Sequence, residues 1–235
     1  MRISLLALVV MIACGACTKG TWVSGDDGVS GDDGGDAGPA DGATTDGATP
    51  DASIPPSEDG EAPKQPVEGI YLGACLSKLA AGRLDRVLRF YTEVKYTPPA
   101  ANGPATLQLK LTPMKLGPSS GPPPTVSKSE TIGQTYTSTS PVRPNGVYDA
   151  PLGTVTIPGA ANPISGRDIV VDQAAVPGKF ALAKFCSQLS GHVVQPTDIQ
   201  LEGNSNTCLY LPVKEGDPTP ALPSLSDFLD TCALN

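Results

Sequence analysis

The chain has 235 residues and a formal net charge of −8, with 39% apolar and 17% charged side chains. Its acidity is local: residues 18–68 carry 12 acidic side chains against two lysines, whereas residues 69–235 carry 12 acidic and 13 basic ones. A near-neutral folded part with no basic stripe between aromatics excludes a nucleic-acid-binding surface, and nothing after the first segment is apolar for long enough to form a membrane helix.

The first segment, residues 1–17, reads MRISLLALVVMIACGAC. Arg2 is a positive n-region. Residues 5–13 are an apolar core, about half the length that a bilayer-spanning helix needs. Two cysteines then follow small residues. The stretches Met11-Ile12-Ala13-Cys14 and Cys14-Gly15-Ala16-Cys17 resemble the bacterial lipobox, in which an aliphatic residue and two small residues precede a cysteine that becomes acylated. Gly15-Ala16 fits the small pair better than Ile12-Ala13, so Cys17 is the expected lipidation site and Cys14 the alternative. The resemblance implies a lipoprotein with three acyl chains on that cysteine, more than the two that anchor a protein stably. Neither cysteine precedes an Asp, the residue that retains such proteins at the inner membrane. The resemblance therefore implies the outer membrane of a cell envelope, with the membrane as partner through the lipid.

Residues 18–68 read as a tether. Asp, Gly, Ala and Pro make up 31 of its 51 residues, VSGDDG occurs twice (23–28 and 29–34), and DGAT recurs at Asp41 and Asp46. Its only large apolar residues are Trp22, Val23, Val29, Ile54 and Val67. Such a segment buries too little surface to offset its ordering entropy and is expected to be disordered and self-repelling. A flexible chain of this length spans roughly 40 Å. GDDG lacks the spacing of a calcium-binding loop, so no metal is expected here. Signal and spacer together resemble those of lipoproteins with Asp/Gly-rich spacers from predatory and soil bacteria. That resemblance implies a location and no activity.

Residues 69–235 are enough for one domain with a real core. Their 19 prolines exclude long helices over most of this length. Residues 86–97 and 105–116 alternate apolar and polar side chains, and 131–140 does so more weakly. Shorter candidate strands are 153–157, 168–172, 179–185, 191–194, 199–202 and 207–213. The expected fold is mainly β, a sandwich or barrel of about eight short strands. Asn102-Gly103 and Asn145-Gly146 mark turns, and GPSSGPPP (117–124) a stiff surface loop. Short helices are expected at both ends. Leu72, Cys75, Leu76 and Leu79 have helical spacing ahead of Gly82. Leu225, Phe228, Leu229 and Cys232 repeat that spacing after a Ser224/Asp227 capping box.

Export places the remaining cysteines in an oxidising compartment. Cys75 and Cys232 each lie on the apolar stripe of a terminal helix and are the expected first disulfide. Cys186 and Cys208, at strand ends, are the expected second. No C-x-x-C spacing occurs in this part and His192 is the only histidine, so neither a metal nor a cofactor is expected.

The signals for chemistry are sparse. Gly117-Pro118-Ser119-Ser120-Gly121 fits G-x-S-x-G, but three prolines follow and no helix can begin there. Ser190, His192 and Asp198 contain the residue types of a hydrolytic triad, with Gly191 between the first two suggesting a turn. Asp168 and Asp172 would stand about 13 Å apart on one face of a strand, too far for a glycosidase pair. Arg83, Arg86 and Arg89 would make an anion-holding stripe on a helix and would scatter on a strand. Tyr148, Asn162 and Arg167 could line a ligand pocket around a Gly-rich loop. The expectation is a monomeric, non-enzymatic module for binding, adhesion or envelope structure, whose protein or glycan partner the residues do not name. The alternatives are a secreted hydrolase using Ser190 and His192, and an inhibitor or subunit acting through loop 117–124.

Overall fold

The computed structural model describes residues 62–80, 82–101, 103–202 and 206–231, with side chains to Leu229. The signal segment with Cys14 and Cys17, tether residues 18–61, Asn102 and Cys232 lie outside the described residues. The first three strands form a long antiparallel meander: β1 (Val67–Leu76), β2 (Leu88–Thr97) and β3 (Ala105–Pro113). They are followed by β4 (Thr125–Val126), β5 (Tyr136–Val142), β6 (Val147–Tyr148), β7 (Pro151–Ile157) and β8 (Ile169–Ala175). Next come β9 (Gly178–Lys179), β10 (Phe185–Gln188), β11 (Ser190–Gln195) and β12 (Ile199–Leu201). Then β13 (Thr207–Val213), β14 (Asp217–Pro218) and one short helix, α1 (Leu225–Thr231), complete the described chain.

Eight of these strands close into an antiparallel barrel in the order β1-β13-β10-β9-β6-β5-β3-β2. A four-stranded sheet, β12-β11-β8-β7, and a two-stranded ribbon, β14-β4, pack on it. Strand β3 shows the underlying pattern: Leu107, Leu109 and Leu111 are buried inward while Thr106, Gln108 and Lys110 are only part-buried. The β5–β6 turn forms at Asn145-Gly146, where Gly146 has φ 81° and the Val147 amide donates to Asn145 Oδ1.

An eight-stranded barrel is just wide enough for side chains to fill it, and here they are aromatic. Phe185 is the hub. It stacks on Tyr210 at 4.3 Å and meets Tyr71, Phe180 and Tyr148 edge-on at 5.3, 5.1 and 6.4 Å. Tyr96 stacks on Phe180 at 5.2 Å. Gly73 makes room for this stack, since a Cβ there would lie 2.8 Å from Thr92 Oγ1 and 3.2 Å from the Tyr210 ring.

The helix expected from Leu72 to Gly82 is instead strand β1 and a single 3-10 turn at Lys78–Ala80. Tyr71 and Cys75 point into the barrel core. Leu72, Ala74 and Leu76 point outward beneath the ribbon and α1. A strand covered on both faces is apolar throughout, and such a run contains helical spacing by coincidence. The cysteine pairing changes with it. Cys75 is bonded to Cys208, not Cys232, and Cys208 is therefore not bonded to Cys186. The two are register partners across β1 and β13, 4.0 Å apart at Cα. Cys186 is also disulfide-bonded. The C-terminal helix forms as expected, its Asp227 amide donating to Ser224 Oγ at 3.2 Å and Ser224 Oγ donating to Asp227 Oδ2 at 2.7 Å.

The four-stranded sheet covers the barrel mouth near Cys75, Leu88, Leu111 and Tyr136, leaving an apolar gap of about 30 Å³. One hydroxyl clasps the two parts. Tyr136 Oη donates to the Thr156 carbonyl and accepts from the Thr156 amide, each at 2.7 Å, on edge strand β7. This satisfies backbone groups that an exposed edge would offer to another chain. Replacing Tyr136 by Phe removes both bonds while keeping the ring, and is expected to lower unfolding free energy by about 1–3 kcal/mol in denaturant titration.

The phenols set an alkaline limit. Burial pushes the Tyr210 pKa up to about 12, and Tyr148 is raised well above its ordinary value by the same cause. A group with a raised folded pKa contributes full stability below its unfolded pKa near 10 and loses it as pH rises through the folded value. Ionising Tyr210 alone would cost the folded state about 3 kcal/mol. Absorbance at 295 nm and far-UV circular dichroism should therefore show cooperative phenol ionisation with loss of β structure between about pH 10 and 12.

Candidate functional site

The residue types of the suspected triad are neighbours that do not assemble. Ser190 and His192 flank a bulge at Gly191, where φ is +140°. Ser190 Oγ donates to the Ala175 carbonyl at 3.4 Å, and His192 Nε2 contacts the exposed carboxylate of Asp198. The hydroxyl and the imidazole thus serve different partners. Asp172 faces His192 across β8 and β11 and accepts from Thr154 Oγ1 at 2.9 Å. Asp168 instead accepts from the Gly159 amide at 2.7 Å and closes a loop. No group of three His, Cys, Asp or Glu residues converges as a metal site among the described residues.

Tyr148, Asn162 and Arg167 do not form the expected pocket. Tyr148 is inside the barrel, beside Ser187 and without a hydrogen bond to its Oη, whereas Arg167 is exposed. Asn162 is fully buried and organises its own loop. Its Nδ2 donates to Ser165 Oγ at 2.9 Å and to the Arg167 carbonyl at 2.7 Å, and its Oδ1 accepts from the Ile164 amide at 2.9 Å. Asn206, also fully buried, does the same across 129 residues by accepting from Ser77 Oγ and the Lys78 amide. Asparagine composition carries no signal for either role, because the partners are set by the fold.

The three arginines form no stripe: Arg83 and Arg86 stand at the two ends of a 3-10 turn, Leu84–Arg86, and Arg89 lies on β2. Arg83 pairs with Asp85 at 2.6 Å in solvent and Arg86 is half-buried. Arg89 is buried against the barrel wall, Nη1 donating to the Val87 carbonyl at 3.2 Å and Nε enclosed without an acceptor. Further along that wall a charged network ties the ribbon down. Glu93 lies between Lys128 and Lys110, at 2.7 and 3.4 Å, and Lys128 above all holds its carboxyl below the usual range. Tyr91 Oη donates to Glu215 Oε2 at 2.6 Å, and the Lys128 amide donates to Oε1 of the same carboxylate at 2.9 Å.

Among the described residues, a groove of about 510 Å³ opens at the opposite barrel mouth. Pro98, Pro99 and Pro104 from the β2–β3 connection form one wall, Pro144 and Arg143 the other, and Tyr96 lies between them. The incoming chain runs past it: Ala62, Pro63 and Lys64 line the groove, and the Ala62 amide donates to the Pro144 carbonyl at 3.3 Å. Tyr96 is 1% exposed and its Oη has no hydrogen-bond partner. Burial raises the phenol's pKa, so it is a neutral donor at pH 7. Nothing in the sequence marked this groove, because it takes residues from three separate segments.

The G-x-S-x-G segment is a closed exposed turn. The Gly117 amide donates to the Gly121 carbonyl at 3.0 Å, and Thr219 holds the following prolines through 2.6 and 3.1 Å bonds to the Pro123 and Pro124 carbonyls. Ser119 and Ser120 both have left-handed backbone, φ 57° and 61°. No protein-family model, curated protein or solved structure matches the chain. Left-handed backbone costs an L-residue about 1–2 kcal/mol, and glycine offsets part of any relief through its unfolded-state entropy. Ser119→Gly is therefore expected to raise stability by about 0.5–1 kcal/mol in thermal unfolding.

Proposed function

We propose that this chain is a lipid-anchored envelope protein whose barrel is a non-enzymatic binding or structural module held on an acidic leash. The observation that carries this reading is the Cys75–Cys208 bond, which pairs with the signal-like start of the chain as a mark of export. The closed, aromatic-filled barrel supports a scaffold role, and the separate commitments of Ser190 and His192 weigh against the hydrolase alternative. Loop 117–124 is rigid and exposed at its tip, which suits an element presented to a partner. Metabolic labelling with palmitate in a diderm bacterial host tests the anchor. Label is expected on the wild-type chain in the outer-membrane fraction and its loss in Cys17→Ser. Label retained in Cys17→Ser but lost in Cys14→Ser moves the anchor to Cys14. An unlabelled, soluble wild-type chain overturns the proposal.

A further inference from the structure

The chain has six cysteines, at 14, 17, 75, 186, 208 and 232. Cys75 and Cys208 are bonded to each other, and Cys186 is disulfide-bonded to another partner. The barrel wall explains why Cys186 and Cys208 do not pair. They sit on adjacent strands one position out of step, Cys186 opposite Leu209 and Ser187 opposite Cys208. A one-residue offset puts side chains on opposite faces of a sheet. Cys208 therefore packs inside the barrel with Phe185 and Tyr210, and Cys186 packs outside it with Ala74, Leu209 and Phe228. Its partner is Cys14, Cys17 or Cys232. Phe228 of α1 is fully buried in the same outer cluster as Cys186. Cys232 follows Phe228 by four residues, a stretch that spans at most about 14 Å, so its thiol stays in range whatever path the chain takes. On the lipid-anchor reading, cleavage before Cys17 removes Cys14 and acylation occupies the Cys17 thiol; the pairing rests on that reading to this extent. We propose that Cys186 is bonded to Cys232, an outer staple that fastens α1 to the barrel wall.

Forming the staple removes two protons and two electrons from the two thiols. A disulfide oxidoreductase of the exporting compartment accepts them and leaves as a dithiol. The two bonds then differ in how a reductant reaches them. Leu225 and Phe228 pack α1 onto Ala74, Leu76, Val87 and Leu209. A seven-residue helix is too short to hold by itself, and terminal elements open at low free energy. The inner bond, by contrast, is enclosed at the seam and is reached only by parting β1 from β13. A dithiol therefore cuts the outer bond first. Release of α1 then opens the apolar strip beneath it while the barrel stays closed, which makes the helix a redox-released cover.

Peptide mapping of the full wild-type chain tests the pairing. Thiols are blocked, the chain is digested without reductant, and the fragments are weighed. The expected fragment joins the peptide containing Cys186 to the one containing Cys232, and it disappears on reduction. A link from Cys186 to Cys14 or Cys17, or a blocked and unlinked Cys232, overturns the proposal. The same digest reads the acyl mass on the amino-terminal peptide, so staple and anchor fail separately: a Cys186–Cys232 link beside an unacylated Cys17 keeps the staple and overturns the anchor. Graded reduction with dithiothreitol, followed by alkylation, tests the cover. Cys186 and Cys232 should be labelled several-fold faster than Cys75 and Cys208, with far-UV circular dichroism unchanged at that stage. In Cys232→Ser, Cys186 should be labelled without reductant. Equal rates for all four sulfurs, or an unlabelled Cys186 in Cys232→Ser, overturn the proposal.

Discussion

Closure of the barrel between its first and last strands is the constraint on which the rest depends. Strands β1 and β13 lie at opposite ends of the folded sequence yet pair over seven consecutive positions, from Ile70↔Val213 to Leu76↔Thr207. Without that seam the eight strands would be an open sheet with two long edges. Joining segments 133 residues apart carries a large loop-closure cost, and the Cys75–Cys208 bond moves it to the unfolded state. On the chain-entropy account this contributes about 5 kcal/mol. The two cysteines stand directly opposite each other in the ladder, so the bond lies within the seam that it closes.

Once the seam is closed, the interior has a fixed width, and rings fill it. Phe185 touches four other aromatic rings, so the barrel has a solid centre. Only the mouths and the outer wall then remain for recognition. The Tyr136 clasp brings the four-stranded sheet over one mouth. The Glu93–Lys128 and Tyr91–Glu215 contacts fasten the ribbon to the wall, and Phe228 fixes α1 over Ala74 and Leu209. The proline-walled mouth is one of the concavities left among the described residues.

What could be read from the sequence follows from how many faces of each strand are covered. Residues 207–213 match β13 to the residue, and β3 announces itself through Leu107, Leu109 and Leu111. The 72–79 segment was illegible for the opposite reason. With both faces of β1 buried, its apolar run fits a helix as well as a strand, and the cysteine pairing inherited that error. Tyr148 looked like a ligand contact beside a Gly-rich loop but belongs to the core, because β6 turns it inward at Val142↔Tyr148. The work of Asn162 and Asn206 was not visible either, since neither residue type nor spacing distinguishes a buried loop pin from an exposed turn residue. Neither the helix nor the strand weighed for Arg83, Arg86 and Arg89 describes the segment, which is a 3-10 turn running into β2, and the burial of Arg89 required knowing what covers the wall.

The prolines at the uncovered mouth decide how that surface meets anything else. A barrel mouth is ringed by strand ends whose free amides and carbonyls invite an added strand. Pro63, Pro98, Pro99, Pro104 and Pro144 have no amide hydrogen to offer. Strand addition is therefore disfavoured where the chain is most accessible, and recognition shifts from backbone pairing to side-chain surfaces. The same substitution of ring for amide protects the mouth from edge-to-edge aggregation.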